Sequence, residues 1–488
     1  MCGIAGWVGQ HKVEAAFEQV QKATSLLAHR GPQQEHFWQN ERGNVVFGHR
    51  RLCIIDLSDA AAQPMHLNDR FTIVYNGEVY NYVEVRNELT KLGHSFHSHS
   101  DTEVVLTAYA QWGTDCLHRF DGMFAFTIWD EQEQTFFAAR DRFGEKPFFF
   151  HFDDETLRFA SELKALWQMG VEKDVNESLL YNFLTIGYTT NPSDGSETFY
   201  HNIHKLPSAH YFIFDVRKGN LQLQPYWQVY AEEDNSITEA AAIEKFSALF
   251  RDSIRKRLRS DVAIGTSLSG GLDSSSIVAF CQEQSAEQYS HKCFTASFAG
   301  FEQDETAFAK QVADRFGLHH FTTTIREEEV SRLMQQVIAI QDEPFSSASV
   351  LAQFKVFGLA KEQGVTVLLD GQGADEILGG YHKYYKWYWQ ELYRNKRLSS
   401  SGEQYKAAQL GITESFGIQN KFAALFPEFA ASLRQSQRAK KAFRHPDLEA
   451  DFAFRNKRNL YYALPTQPDL NGALHFNTFT SGLEELLR

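Results

Sequence analysis

Cys2 stands directly behind the initiator Met1. Methionine is readily removed before a small side chain, and the mature chain would then begin with cysteine. Such a residue carries a nucleophilic thiol and an α-amine. The amine's ordinary pKa, roughly 7.7–8.0, suits a general base near neutral pH. A second group with chemical character is Leu268-Ser269-Gly270-Gly271-Leu272-Asp273-Ser274-Ser275. Its glycines let backbone N–H groups face an anion, and Ser269, Ser274 and Ser275 add hydroxyl donors. A helix beginning there adds its dipole, which makes the segment a phosphate cradle. It is not a Walker loop, because the GK[ST] ending is absent. Asp273 could hold Mg²⁺ on phosphate oxygens, since magnesium favours a carboxylate together with phosphate. A second carboxylate source is Asp370-Gly371-Gln372-Gly373-Ala374-Asp375-Glu376, directly after an apolar run.

Those residues need elements to position them. Val13, Phe17, Val20 and Leu27 recur at helical spacing, predicting a helix over 13–28 that stops at Arg30-Gly31-Pro32. Strands are expected at Val45–Gly48, Phe71–Tyr75, Phe124–Trp129, Phe136–Ala139, Pro147–Phe152 and Leu157–Ala160, and a helix at Tyr82–Leu92. Asn76-Gly77 after one of these strands is a tight-turn signal. Ser100, Asp101 and Glu103 resemble a capping box. Short strands with close turns predict antiparallel sheets with helices outside them. A turn at 215–220 and the polar run Glu232–Ser236 then mark a boundary. Beyond it, helices (237–258, 275–284, 306–316, 330–340) alternate with apolar strands (262–268, 293–298, 320–323, 365–369). That alternation predicts a parallel, doubly wound α/β sheet. Residues 380–488 read as helical, and the aromatic run 384–389 as helical core rather than a partner surface. The expected domains are 2–210 and 235–488.

Bulk composition excludes some classes. A chain of 488 residues has room for two or three domains. The net charge of −14 argues against a nucleic-acid partner. No apolar stretch reaches the ~20 residues of a membrane helix, so no membrane partner is expected. The N-terminus lacks the pattern of a signal peptide. The five cysteines are scattered without CxxC spacing, so neither a disulfide framework nor a structural zinc is expected. The expected compartment is the reduced cytoplasm. The oligomeric state stays open, a homodimer included.

In order and spacing, HRGP (29–32), GHRRL (48–52), QPM (63–65), YNGEVYN (75–81), SDTE (100–103), GMFAF (122–126) and ARDRFGEKP (139–147) resemble the glutaminase domain of the class II, N-terminal-nucleophile amidotransferases. The resemblance implies an αββα sandwich in which Cys2 attacks a glutamine amide. By the same resemblance, the Asn76 side chain and the Gly77 N–H stabilise the oxyanion, and Arg51 holds the substrate carboxylate. Glu78 and Asp101 would hold its ammonium, and the backbone of Leu52, Ile54 and Ile55 would line the pocket. Gln33 departs from the aspartate that usually follows HRGP.

SGGLDSS resembles the pyrophosphate loop of the ATP-pyrophosphatases, which adenylate a carboxylate or similar oxygen. Together the two halves resemble the glutamine-hydrolysing asparagine synthetase family. The resemblance implies L-glutamine, L-aspartate and ATP as substrates, Mg²⁺ held by Asp273 and Asp375, and a tunnel between the sites. The backbone at Ser267, Ser269, Gly270, Gly271, Ala296, Asp370 and Gly371 would line the ATP site. Gln372 departs from the glutamate that some members use in forming the β-aspartyl-adenylate. Asp304-Glu305 and Asp342-Glu343-Pro344 match family motifs and read equally well as helix-capping acids. The chain stops at Leu486-Leu487-Arg488, before the family's Arg-Val-Pro-Phe-Leu-Asp-like segment, so the synthetase half is expected to lack its C-terminal part. Two rival readings remain: the same build acting on another carboxylate, and a glutaminase or regulatory protein with an inert synthetase half.

Overall fold

The computed structural model describes every residue except 154, 231, 235, 285–290, 299, 302–303 and 488. The expected domain limits at 235 and 488 therefore lie outside the described residues. The N-terminal half is two six-stranded sheets packed face to face. The first orders its strands His204–Lys205, Phe149–Phe152, Thr156–Ala160, Gly3–Gly9, Val45–Arg51 and Gln34–Gln39. The second orders Asn220–Pro225, His210–Asp215, Thr135–Arg140, Gly122–Asp130, Phe71–Val79 and Met65–Leu67. Aromatic side chains such as Phe47, Trp129, Phe136, Phe148, Phe159 and Phe212 fill the space between the sheets. The helix Ala16–Ser25 packs Val20 and Ala23 outside the first sheet, and the helix Asp101–Trp112 packs Val104 and Val105 outside the second. This is the αββα sandwich.

Three details differ from expectation. The first helix is shorter than 13–28, because tight turns carry the chain from Ser25 to Arg30. The N-terminal domain does not end at 210: the hairpin His210–Asp215 and Asn220–Pro225 completes the second sheet against Thr135–Arg140. Asn76-Gly77 is not a turn, since the strand runs through both to Val79, with Asn76 opposite Ala125 and Gly77 opposite Phe124. A Cβ on Gly77 would lie 2.3 Å from the Met123 carbonyl oxygen, so close strand approach, not turn geometry, demands glycine there.

The C-terminal half carries a four-stranded sheet ordered His319–Thr324, Lys292–Ser297, Ile264–Ser267 and Val367–Leu369, paired in parallel. On the strand Lys292–Ser297, Cys293 packs against Val278, Ala309 and Ala313, whereas Phe294 packs against Val356 and Ala360. Helices thus cover both faces, as double winding requires. The chain leaves Ile264–Ser267 in one direction to build two strands and returns to its other side for Val367–Leu369. Such a reversal opens a crevice at the carboxyl ends of Ile264–Ser267 and Val367–Leu369, where ligands bind in α/β sheets. In the helical remainder, Lys383–Arg394 buries Tyr384, Trp389 and Leu392, so the aromatic run is core.

Candidate active sites

Cys2 precedes the strand Gly3–Gly9, whose neighbour Val45–Arg51 runs out at Arg51-Leu52 beside it. The Leu52 N–H donates to Cys2 Sγ at 3.4 Å. Arg30 Nε donates to the Cys2 carbonyl at 2.9 Å, and Glu162 holds Arg30 from behind at 2.9 Å. Burial pushes the Cys2 thiol up, and the neighbouring chain-terminal ammonium pulls against it. A cavity opens here and is lined by every residue expected for a glutamine pocket: Cys2, Arg51, Leu52, Ile54, Ile55, Asn76, Gly77, Glu78 and Asp101.

The edge of the strand Phe71–Val79 makes the cavity polar. Its partner Met65–Leu67 reaches only as far as Ile73. Beyond that point side chains replace the missing strand. The Tyr75 N–H donates to Gln63 Oε1 at 2.7 Å, and the Tyr75 carbonyl accepts from His49 Nε2 at 3.2 Å. The Val79 N–H donates to Asp101 Oδ2 at 3.0 Å. Backbone groups alternate sides with period two, so the Gly77 N–H is directed to this same edge, between Tyr75 and Val79. Asn76 is fully buried, and among the described residues neither its Nδ2 nor its Oδ1 has a hydrogen-bond partner. A buried amide left unpaired is costly, which marks a place where a ligand supplies the missing partner.

Arg51 is 4% exposed, and its guanidinium donates to Gln34 Oε1, to the Ser58 carbonyl and to the Asp56 carbonyl. Among the described residues no carboxylate lies within ion-pair distance of it, so a substrate carboxylate would meet an unneutralised cation. Ser100 caps the helix that follows, accepting from the Glu103 N–H at 3.3 Å. Glu103 turns instead to the backbone of His97 and Ser98, so no reciprocal capping box forms. Asp101 is left to point inward, accepting from the Tyr75 hydroxyl at 2.8 Å.

Burial, and then the charge of Asp101, pushes Glu78 up to about 7; Lys146, the chain-terminal ammonium and Arg257 oppose this. Because the value lies above the ordinary 4.5, Glu78 costs stability increasingly as pH rises from about 4.5 to about 7. A ligand ammonium relieves that cost. As pH falls through about 7, protonation removes the charge an ammonium needs. We therefore expect the glutamine KM to rise about threefold or more between about pH 8 and about pH 6, and E78Q to flatten the profile. Initial rates across that range check this; an unchanged slope in the variant contradicts it.

Gln63, Tyr75 and Lys146 also line the cavity. Each lies in a motif quoted above (QPM, YNGEVYN, ARDRFGEKP), but the motif alone assigned it no role. Burial holds the Lys146 ammonium below its ordinary pKa, against the pull of Glu145, Asp141 and Glu78.

In the C-terminal half, the strand Ile264–Ser267 ends in the serine-glycine loop, and the helix Leu272–Gln284 starts from it. The loop is held by its own hydroxyls: Ser274 Oγ accepts from the Ser269 N–H at 3.2 Å, and Ser269 Oγ accepts from the Gly271 N–H at 3.2 Å. Ser275 Oγ is buried without a partner among the described residues. Gly270 has φ +93° and a Cβ there would lie 2.5 Å from the Ala309 nitrogen, so only glycine fits. Gly371 lies against Asp273, which brings the Asp370–Glu376 loop onto the serine-glycine loop at the crevice. Burial, followed by the charges of Asp375 and Glu376, pushes Asp273 up. Glu376 is buried, and among the described residues its Oε2 has no partner. Among the described residues, no three acidic, histidine or cysteine side chains are grouped so as to hold a metal ion. Gln372 is exposed at the rim.

Ser267 ends its strand at the crevice, and Ala296 lies on the adjacent strand. Asp304 caps its own helix by accepting from the Thr306 N–H at 3.1 Å. Asp342 and Glu343 are not simple helix caps: they accept the Lys164 and Phe199 N–H groups of the other half, each at 3.0 Å.

A glutaminase-type sandwich and a nucleotide-type parallel sheet in one chain define a two-site amidotransferase architecture. Residues 1–227 match the family model described as glutamine amidotransferase domain, and residues 245–488 the one described as asparagine synthase. A putative asparagine synthetase [glutamine-hydrolyzing] 2 of Methanocaldococcus jannaschii is 34% identical over 414 residues, covering 81% of this chain and 78% of that protein. Asparagine synthetases [glutamine-hydrolyzing] 3 and 1 of Bacillus subtilis are 34% and 31% identical, covering 78% and 79% of this chain. The chain belongs to the glutamine-hydrolysing asparagine synthetase family. It spans 63% and 59% of the length of those two Bacillus subtilis relatives.

Proposed function

We propose that this chain frees ammonia from L-glutamine at Cys2 and uses ATP at the crevice to amidate L-aspartate, giving L-asparagine, AMP and pyrophosphate. The observation that carries the reading is the unpaired, buried Asn76 amide in the same cavity as Cys2. With Met1 removed, the Cys2 amine takes the proton from its own thiol, and the thiolate attacks the glutamine amide carbon. The Asn76 Nδ2–H and the Gly77 N–H then receive the oxyanion. Protonation of the departing nitrogen leaves a thioester that water hydrolyses. Arg51 fixes the substrate carboxylate, and Glu78 with Asp101 fixes its ammonium.

In the second half, the serine-glycine loop and the N-terminus of Leu272–Gln284 hold ATP phosphates. Asp273 and Asp375 would hold Mg²⁺ together with phosphate oxygens, neutralising phosphate charge. A second cavity lies between the halves, and Met1 lines both it and the glutamine pocket. Loss of Met1 would open one cavity toward the other, which supports a path for ammonia out of the glutamine pocket toward the other half. The exposed Gln372 motivates the alternative reading, the same build amidating a different carboxylate. Aspartate-dependent exchange of labelled pyrophosphate into ATP tests the choice. Exchange with aspartate and not with other acids is the expected result, and its absence removes aspartate as the acceptor.

A further inference from the structure

Both lips of the glutamine pocket are held by one short segment of the other half. Asp261 Oδ2 accepts the Asp56 N–H at 2.7 Å, and the Asp261 N–H donates to the Ile54 carbonyl at 2.9 Å. Ile54 lines the cavity, and the Asp56 carbonyl is a ligand of the Arg51 guanidinium. Two residues earlier, Arg259 donates to the Tyr80 carbonyl at 2.8 Å and to both Glu84 oxygens at 2.6 Å. Tyr80 directly follows the strand that carries Asn76, Gly77 and Glu78. Arg257 covers the ring of the same tyrosine, 4.3 Å from its centroid. The segment then runs straight into the strand Ile264–Ser267 and the phosphate loop.

We infer that Arg259 and Asp261 are positioning residues that hold the glutamine pocket in its binding shape from the synthetase half. They touch no substrate. Asp261 sets the Ile54–Asp56 loop and so the guanidinium of Arg51; Arg259 sets the far end of the Asn76–Glu78 strand. Glutamine is gripped at both ends by groups on these two lips, so loosening either lip weakens binding before it slows chemistry. The inference rests on the glutaminase reading above.

The experiment compares D261A, D261N and R259Q with wild type for glutamine-dependent and ammonia-dependent synthesis. Loss of a hydrogen bond to a charged group corresponds to about tenfold in an equilibrium. D261A is therefore expected to raise the glutamine KM about tenfold, with kcat and the ammonia-dependent rate within about twofold of wild type. D261N keeps an oxygen that accepts the Asp56 N–H and is expected to recover most of the loss. A merely structural aspartate would lower both nitrogen sources together and show no such recovery. A wild-type glutamine KM in D261A, or equal loss with glutamine and ammonia, overturns the inference. If D261A does not fold, R259Q carries the same test through the other lip. A C2A control that still used glutamine would instead remove the glutaminase reading itself, which keeps the two failures distinguishable.

Discussion

C2A is expected to lose glutamine-dependent synthesis by at least about 10³-fold while keeping ammonia-dependent synthesis. Alanine removes the attacking sulfur and nothing else the pocket needs. Among the described residues, Cys2 Sγ hydrogen-bonds only with Leu52, and the backbone of residue 2 stays bound to Arg30 through its carbonyl. The synthetase crevice lies on a separate sheet and is untouched. Parallel assays with glutamine and with ammonium chloride measure the split. Equal loss with both donors contradicts the account, and so does retained glutamine use.

N76A is expected to lower kcat for glutamine about 10²- to 10³-fold with a small change in KM, the usual effect of removing one oxyanion donor. The expectation follows from the side chain's isolation. Asn76 is buried and makes no hydrogen bond among the described residues, so its loss leaves none of their groups unpaired. Folding should therefore be affected little, and the effect should fall on the transition state. N76D tests the sign: an acid beside a developing oxyanion should be as damaging as alanine or worse. Ammonia-dependent synthesis should be unchanged in both variants. A proportional rise in KM with unchanged kcat would assign Asn76 to ground-state binding instead.

Much of this was legible in the sequence. The period of apolar residues placed Leu272–Gln284 and Thr306–Phe316 close to where they stand, and the alternation of helix and strand predicted the parallel sheet. Motifs in register placed all nine expected residues around one cavity. What stayed hidden depends on contacts between distant parts of the chain. Asn76-Gly77 carries the local signature of a turn, but the glycine answers a neighbouring strand at Met123, which no local window contains. The hairpin 210–225 reads as a polar boundary because its outer strand is mostly exposed and only its inner strand meets the core. Gln63 and His49 act by replacing a strand that ends too early, and Asp342 and Glu343 by reaching across to the other half. Each of these roles exists only once two segments far apart in sequence have met.

The central claim is that the working nucleophile is a cysteine whose own amine is free. Intact-mass analysis of active enzyme, acid-quenched during turnover with labelled glutamine, tests it most directly. The account predicts a chain lacking Met1, with the label carried on Cys2 as a thioester. Fully active protein that still carries Met1, or label attached to any other residue, would contradict it.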